Sequence, residues 1–141
     1  MIDWAQLPFA YKQTNSNTRC VFRNNTWEDV QLCTDETINL HMAASCLHYG
    51  QECFEGLKVF RGKDSVVRIF RWEENLIRMN RSARRLSMPE IPKEIFEEAL
   101  ITLVKENNEF VPPYGTGASL YVRPLLIGTS PRLGLSPADE Y

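Results

Sequence analysis

Three groups of residues in this sequence could line a site for a small molecule. Arg78, Arg81 and Arg85 are spaced i, i+3 and i+7, which on a helix puts them on one face. They lie beside, and not within, an apolar stripe of Trp72, Leu76, Met79, Ala83 and Leu86. Most arginines on such a face are solvated or paired, here with Glu73 and Glu74, so at most one or two are ligands. A guanidinium near a protein interior offers a planar fork of donors that a lysine does not, so phosphate is the anion this face suggests. The second group is HYGQECFEG at residues 48–56, in which two glycines permit tight backbone geometry close to a ligand. Its Tyr49 and Phe54 suit an apolar pocket with a polar tip, or equally ordinary core and surface. In the third group, Tyr121 and Arg123 share one side of a strand by its period of two. An arginine in so apolar a strand needs a partner, either a structural carboxylate or a substrate carboxylate held bidentately.

Other chemistries lack their residues. The phosphate loop of nucleotide-hydrolysing proteins is missing, and GTGASL does not complete the dinucleotide-binding glycine pattern. There is no GxSxG and no HExxH, and two histidines give no support for a Ser-His or Cys-His pair. Cys20, Cys33, Cys46 and Cys53 have no CxxC spacing, and His41 and His48 lack close metal-ligating partners. No metal site is expected. The thiols are read as reduced and mostly buried. A net charge of −2 gives no concentrated basic surface for nucleic acid or an anionic membrane. No apolar run approaches a signal peptide or membrane span, so a cytoplasmic location is expected.

The elements that must position these groups follow from pattern. RCVFRN and TWEDVQLC, interrupted by Asn24-Asn25, predict a hairpin. Leu57 and Val59, a turn through residues 62–65, then Val67 and Ile69 predict a second. The stripe from Trp72 predicts a helix ending before Pro89. Phe96, Leu100, Leu103 and Val104 predict another between Pro92 and Asn108, with Pro112-Pro113 preventing its continuation. ASLYVRPLLIG reads as one strand with Pro124 at a bulge or edge. Hairpins with helices grouped after them predict an α+β, two-layer domain, mainly antiparallel sheet packed against two helices, with residues 1–141 as one unit.

At the three groups the sequence resembles a known family. LHYGQECFEGLKVFRG, VRIFRWEENLIRMNRSARRL and GASLYVRPLLIGTSPRLG are similar to the N-terminal small domain of branched-chain amino-acid aminotransferases, fold-type IV pyridoxal-phosphate enzymes. The resemblance covers nearly the whole chain. It implies that Arg78 contacts the cofactor phosphate, and that Tyr49 and Phe54 wall the pocket for Leu, Ile and Val side chains. It further implies that Tyr121 and Arg123 lie at the substrate side, the arginine recognising the distal carboxylate of glutamate or 2-oxoglutarate. The family's cofactor-bonding lysine, and the glutamate on its pyridine nitrogen, belong to a C-terminal domain beyond residue 141. No residue here is therefore assigned a catalytic role, and the chain alone is expected to be inactive. One charge-assisted hydrogen bond contributes about 1.5–3 kcal/mol, against roughly 8 kcal/mol for micromolar binding, so Arg78 alone should not retain pyridoxal phosphate. An apolar face made for the missing domain and a partner subunit should favour homo-oligomers. Two other readings stand beside this one: another fold-type IV activity, such as a D-amino-acid aminotransferase or aminodeoxychorismate lyase, or a non-catalytic anion-binding or interaction module.

Overall fold

Two hairpins and two fourteen-residue helices carry the molecule, whose computed structural model describes residues 3, 4 and 6–141. The first hairpin runs through β1 (Asn17–Arg19), β2 (Phe22–Arg23), β3 (Thr26–Trp27) and β4 (Gln31–Cys33), with Phe22 opposite Trp27 and Thr18 opposite Leu32. Asn24 and Asn25 both take positive φ, 52° and 56°, as a two-residue hairpin turn of the primed type requires. A short helix α1 (Ser45–Tyr49) ends on Gly50 in the left-handed conformation and leads to β5 (Glu52–Phe54). The second hairpin is β6 (Leu57–Arg61) and β7 (Val67–Ile69). Leu57 and Val59 face inward while Lys58 and Phe60 face out, the alternation of a half-buried strand.

Helix α2 (Trp72–Arg85) has Glu73 and Glu74 in its first turn and Arg84 and Arg85 in its last, charges that complement the helix dipole. Its buried face is Leu76, Met79 and Ala83. Helix α3 (Lys93–Glu106) enters from Pro92 and buries Phe96, Leu100 and Val104. α3 packs on β1 and β4, α2 packs on β5, and the two helices touch each other. The arrangement is the expected α+β one.

Several expectations need correction. Leu86, placed in the stripe, lies past the helix end and is 41% exposed. All four thiols are free, but Cys20, Cys33 and Cys46 are only half-buried and Cys53 alone is buried. α1 and β5 have no counterpart among the expected elements, because five and three residues are too few for a period to show. The run expected as one strand divides into β8 (Leu120–Val122), paired with β6, and β9 (Leu125–Ile127), paired with β5. Leu57 faces Val122 and Phe54 faces Leu125, leaving two residues on each side between them. Pro124 is thus on an edge but makes no bulge. Glu55 N–H donates to its carbonyl at 3.0 Å, and proline has no N–H to return the bond, so the ladder is interrupted with its register intact.

Candidate functional site

That interruption is where four of the five predicted site residues gather. Phe54, Glu55 and Gly56 form the passage from β5 to β6, directly across from Arg123 and Pro124. The Arg123 guanidinium carbon lies 4.5 Å from the centre of the Phe54 ring and 5.4 Å from that of Tyr121. Its Nη2 and Nε donate to the Tyr121 hydroxyl oxygen at 3.1 and 3.3 Å. Tyr121 and Arg123 do share one side of the strand, as their spacing requires. Gly56 makes room for them: a β-carbon there would stand 2.4 Å from the Tyr121 hydroxyl oxygen. Phe9 closes on the same ring edge-on, with centroids 5.1 Å apart.

The structural carboxylate considered as a partner for Arg123 is not present among the described residues; its partners are a neutral hydroxyl and two aromatic faces. Among the described residues no acid forms an ion pair with it, and its side chain is exposed. Such an arginine is held in place by stacking yet keeps donors for an incoming carboxylate.

Arg78 is reached through the same turn. Its Nε donates to Glu55 Oε1 at 2.6 Å and its Nη2 to Oε2 at 2.5 Å. The two side chains differ sharply in environment, Arg78 being 55% exposed and Glu55 only 6%. Asn75, one turn earlier on α2, donates from Nδ2 to Glu55 Oε2 at 3.0 Å and to the Gly56 carbonyl at 3.2 Å. Burial pushes the Glu55 carboxyl up, but hydrogen bonds from Arg78 and Asn75, the Arg78 charge and the Gly56 N–H outweigh it and leave it below the usual carboxylate range. The same hydrogen bond and charge raise the Arg78 guanidinium further above its ordinary value. Arg81 and Arg85 point to solvent, and Glu74 pairs with Arg71 instead of with this face. Of the three arginines, Arg78 alone is built into the cluster.

Tyr49 stands apart. Its hydroxyl donates to the Leu133 carbonyl, beside a groove of about 320 Å³ that it lines with Gln51, Ser87 and Gly134. No hydrogen bond or ring contact joins it to Phe54, although both are exposed, at 46% and 58%. Glu55 and Asn75 have no part in the site as the sequence predicts it. The available signal is an acid wedged between Phe54 and Gly56 just ahead of an apolar alternating strand, where an ionised group requires a partner.

Two arginines flank the two-residue link Glu55-Gly56, Arg123 stacked on aromatics and Arg78 braced by a buried acid, in a small α+β fold. Comparison with known proteins shows what the chain is similar to. No family model matches the chain. Over 140 residues it is 42% identical to the branched-chain-amino-acid aminotransferase of Haemophilus influenzae, covering 99% of this chain and 41% of that protein. It is 44% identical over 142 residues to the chloroplastic branched-chain-amino-acid aminotransferase 5 of Arabidopsis thaliana, covering 99% and 34%. A solved branched-chain amino acid aminotransferase from T.th., complexed with N-(5'-phosphopyridoxyl)-L-glutamate, superposes with a TM-score of 0.62 at 27% identity, covering 89% of this chain and 37% of that one. Over nearly its whole length the chain is similar to branched-chain-amino-acid aminotransferases, and it spans about 40% of the length of these curated relatives.

Proposed function

We propose that residues 1–141 form the single small domain of a pyridoxal-phosphate enzyme that exchanges an amino group between Leu, Ile or Val and 2-oxoglutarate. The observation that carries the proposal is Arg123: an exposed guanidinium, fixed between Phe54 and Tyr121, with no ion-paired acid among the described residues. That is the arrangement needed to take the distal carboxylate of glutamate or 2-oxoglutarate, which the branched-chain substrates lack. Phe54 supplies apolar wall next to it, and Tyr49, at its separate groove beside Leu133, is proposed as a wall for the branched side chain. The donor set also fits a phosphate ester. Arg78 keeps its Nη1 and one Nη2 hydrogen outside the Glu55 pair, on an exposed edge of a charge that cannot titrate away near neutral pH.

When bound, the cofactor acts as electron sink and amino carrier. The chain's own residues bind and orient: Arg78 holds the phosphate, Tyr121 steadies Arg123, and Arg123 selects the second carboxylate. The lysine that bonds the cofactor aldehyde is expected outside residues 1–141, so these residues alone are proposed to be inactive and not to retain pyridoxal phosphate. A homo-oligomer is proposed as the working form. A cytoplasmic location is proposed with it; among the described residues no helix is long and apolar enough to cross a membrane.

The test is Arg123→Ala in the complete polypeptide the gene encodes, assayed for transamination of leucine with 2-oxoglutarate. Loss of one charge-assisted contact should raise the KM for 2-oxoglutarate about ten- to a hundredfold while that for leucine changes far less. Equal effects on both substrates would remove the role assigned to Arg123.

A further inference from the structure

Glu55 is the only charged side chain in the buried set of the described residues, and stability does not explain it. Desolvating a carboxylate costs several kcal/mol, and a well-packed apolar residue in such a place is often neutral or better. What the pair does supply is orientation. Glu55 engages the Nε and Nη2 edge of Arg78 with both oxygens, and a planar guanidinium held by one edge has its other edge fixed as well. Glu55 is itself immobilised by Asn75 and by the turn between β5 and β6. Glu55 is only 6% exposed while Arg78 is 55% exposed, so the edge of Arg78 not held by Glu55 remains accessible to a ligand.

We propose that Glu55 is a positioning residue for anion binding: it aims the free edge of Arg78 at the phosphate of the cofactor, with Asn75 holding Glu55 in turn. This rests on the reading of Arg78 as the phosphate ligand. Two effects oppose each other here. A carboxylate beside a phosphate-binding arginine repels the phosphate, so removing its charge favours binding; losing the fixed geometry disfavours it. The proposal is that geometry wins, because a long arginine side chain, freed at the surface, must otherwise be ordered when the ligand binds.

The experiment compares pyridoxal phosphate with pyridoxal, which has the same ring and a hydroxyl in place of the phosphate ester, in the complete polypeptide. Dissociation constants are measured for the natural protein and for Glu55→Gln, Asn75→Ala and Arg78→Ala. Glu55→Gln should weaken pyridoxal phosphate about tenfold and leave pyridoxal unchanged. Asn75→Ala should act in the same direction more weakly, and it keeps the test open if the first variant folds poorly. The nitrogen NMR signal of Arg78 Nε should show restricted guanidinium rotation in the natural protein and free rotation in Glu55→Gln. If Arg78→Ala abolishes the preference for the phosphorylated ligand while Glu55→Gln retains or strengthens it, the positioning role is overturned and the Arg78 reading survives. If Arg78→Ala leaves that preference intact, the Arg78 reading fails and the inference fails with it.

Discussion

The Tyr121 hydroxyl occupies space that only a glycine at position 56 leaves open: a β-carbon there would stand 2.4 Å from the hydroxyl oxygen and 2.8 Å from the ring. Those distances are shorter than real side chains tolerate, so Gly56→Ala must displace Tyr121 and with it the hydrogen bonds to Arg123. Overpacking of this kind costs about 1–3 kcal/mol. Urea unfolding should show it, and Tyr121→Phe in the same chain should restore part of the loss because the hydroxyl is the nearest clashing atom. A single variant as stable as the natural protein would mean that the ring moves aside freely, and the site would be looser than its contacts imply.

Glu55 makes the stability of this domain sensitive to acid in a calculable direction. Burial raises its carboxyl, but Arg78, Asn75 and the Gly56 N–H bring it below its ordinary value. The folded state therefore favours the ionised form, and the pair's contribution is fully present above the unfolded value of about 4.3. It is lost as pH falls through the lower, folded value. Urea midpoints of the natural protein and Glu55→Gln should differ near neutrality and converge only as pH falls below the ordinary carboxylate range, through the lower folded value. A difference that stays constant through that range would assign the variant's effect to packing instead of charge.

The parts of this fold that can be read from sequence are those where one periodicity extends over enough residues. Leu76, Met79 and Ala83 mark α2, and Leu57 and Val59 mark β6, because each set repeats against polar neighbours. Glu52–Phe54 is too short for that, and its pairing with Leu125–Ile127 is set by tertiary contacts. The site divides in the same way. Tyr121 and Arg123 share a face by strand geometry alone, so their association is legible. The Glu55 to Arg78 pair joins a residue of the link between β5 and β6 to one on a helix, and no local rule connects them. Family resemblance singles out Arg78 among three arginines, and the buried acid is the physical difference between it and Arg81 or Arg85.

Asn107 shows the same limit away from the site. The sequence suggests only that a helix ends near it, yet its side chain, 2% exposed, joins the chain start to the end of α3. Its Oδ1 accepts the N–H groups of Asn15 and Ser16 at 2.9 and 3.3 Å, and its Nδ2 donates to the carbonyls of Ser16 and Leu103 at 3.1 and 2.9 Å. Asn107→Leu keeps the volume but strands buried polar groups, at about 1–3 kcal/mol for each left unsatisfied. Amide exchange at Ser16 should accelerate along with the fall in unfolding free energy. If exchange at Ser16 stays slow, β1 is held by β4 and α3 without this bridge.

The turn at Asn24-Asn25 carries more than its own hairpin. Both residues sit at positive φ, where an ordinary side chain costs roughly 1–2 kcal/mol and glycine costs nothing. The geometry they set places Phe22 opposite Trp27, with ring centroids 5.3 Å apart, and lets Phe22 exchange backbone hydrogen bonds of 2.9 and 3.1 Å with Tyr141. Tyr141 is buried, and its hydroxyl oxygen accepts from Gln51 at 3.1 Å, so a splayed turn would loosen residues 138–141, which Phe22, Gln51 and Thr129 hold by hydrogen bonds. Asn25→Val should therefore destabilise by about 1–2 kcal/mol, whereas Asn25→Gly, which completes the preferred two-residue sequence for this turn, should match or exceed the natural protein. Thermal unfolding of the two variants separates this account from a merely exposed loop, in which neither substitution would shift the midpoint.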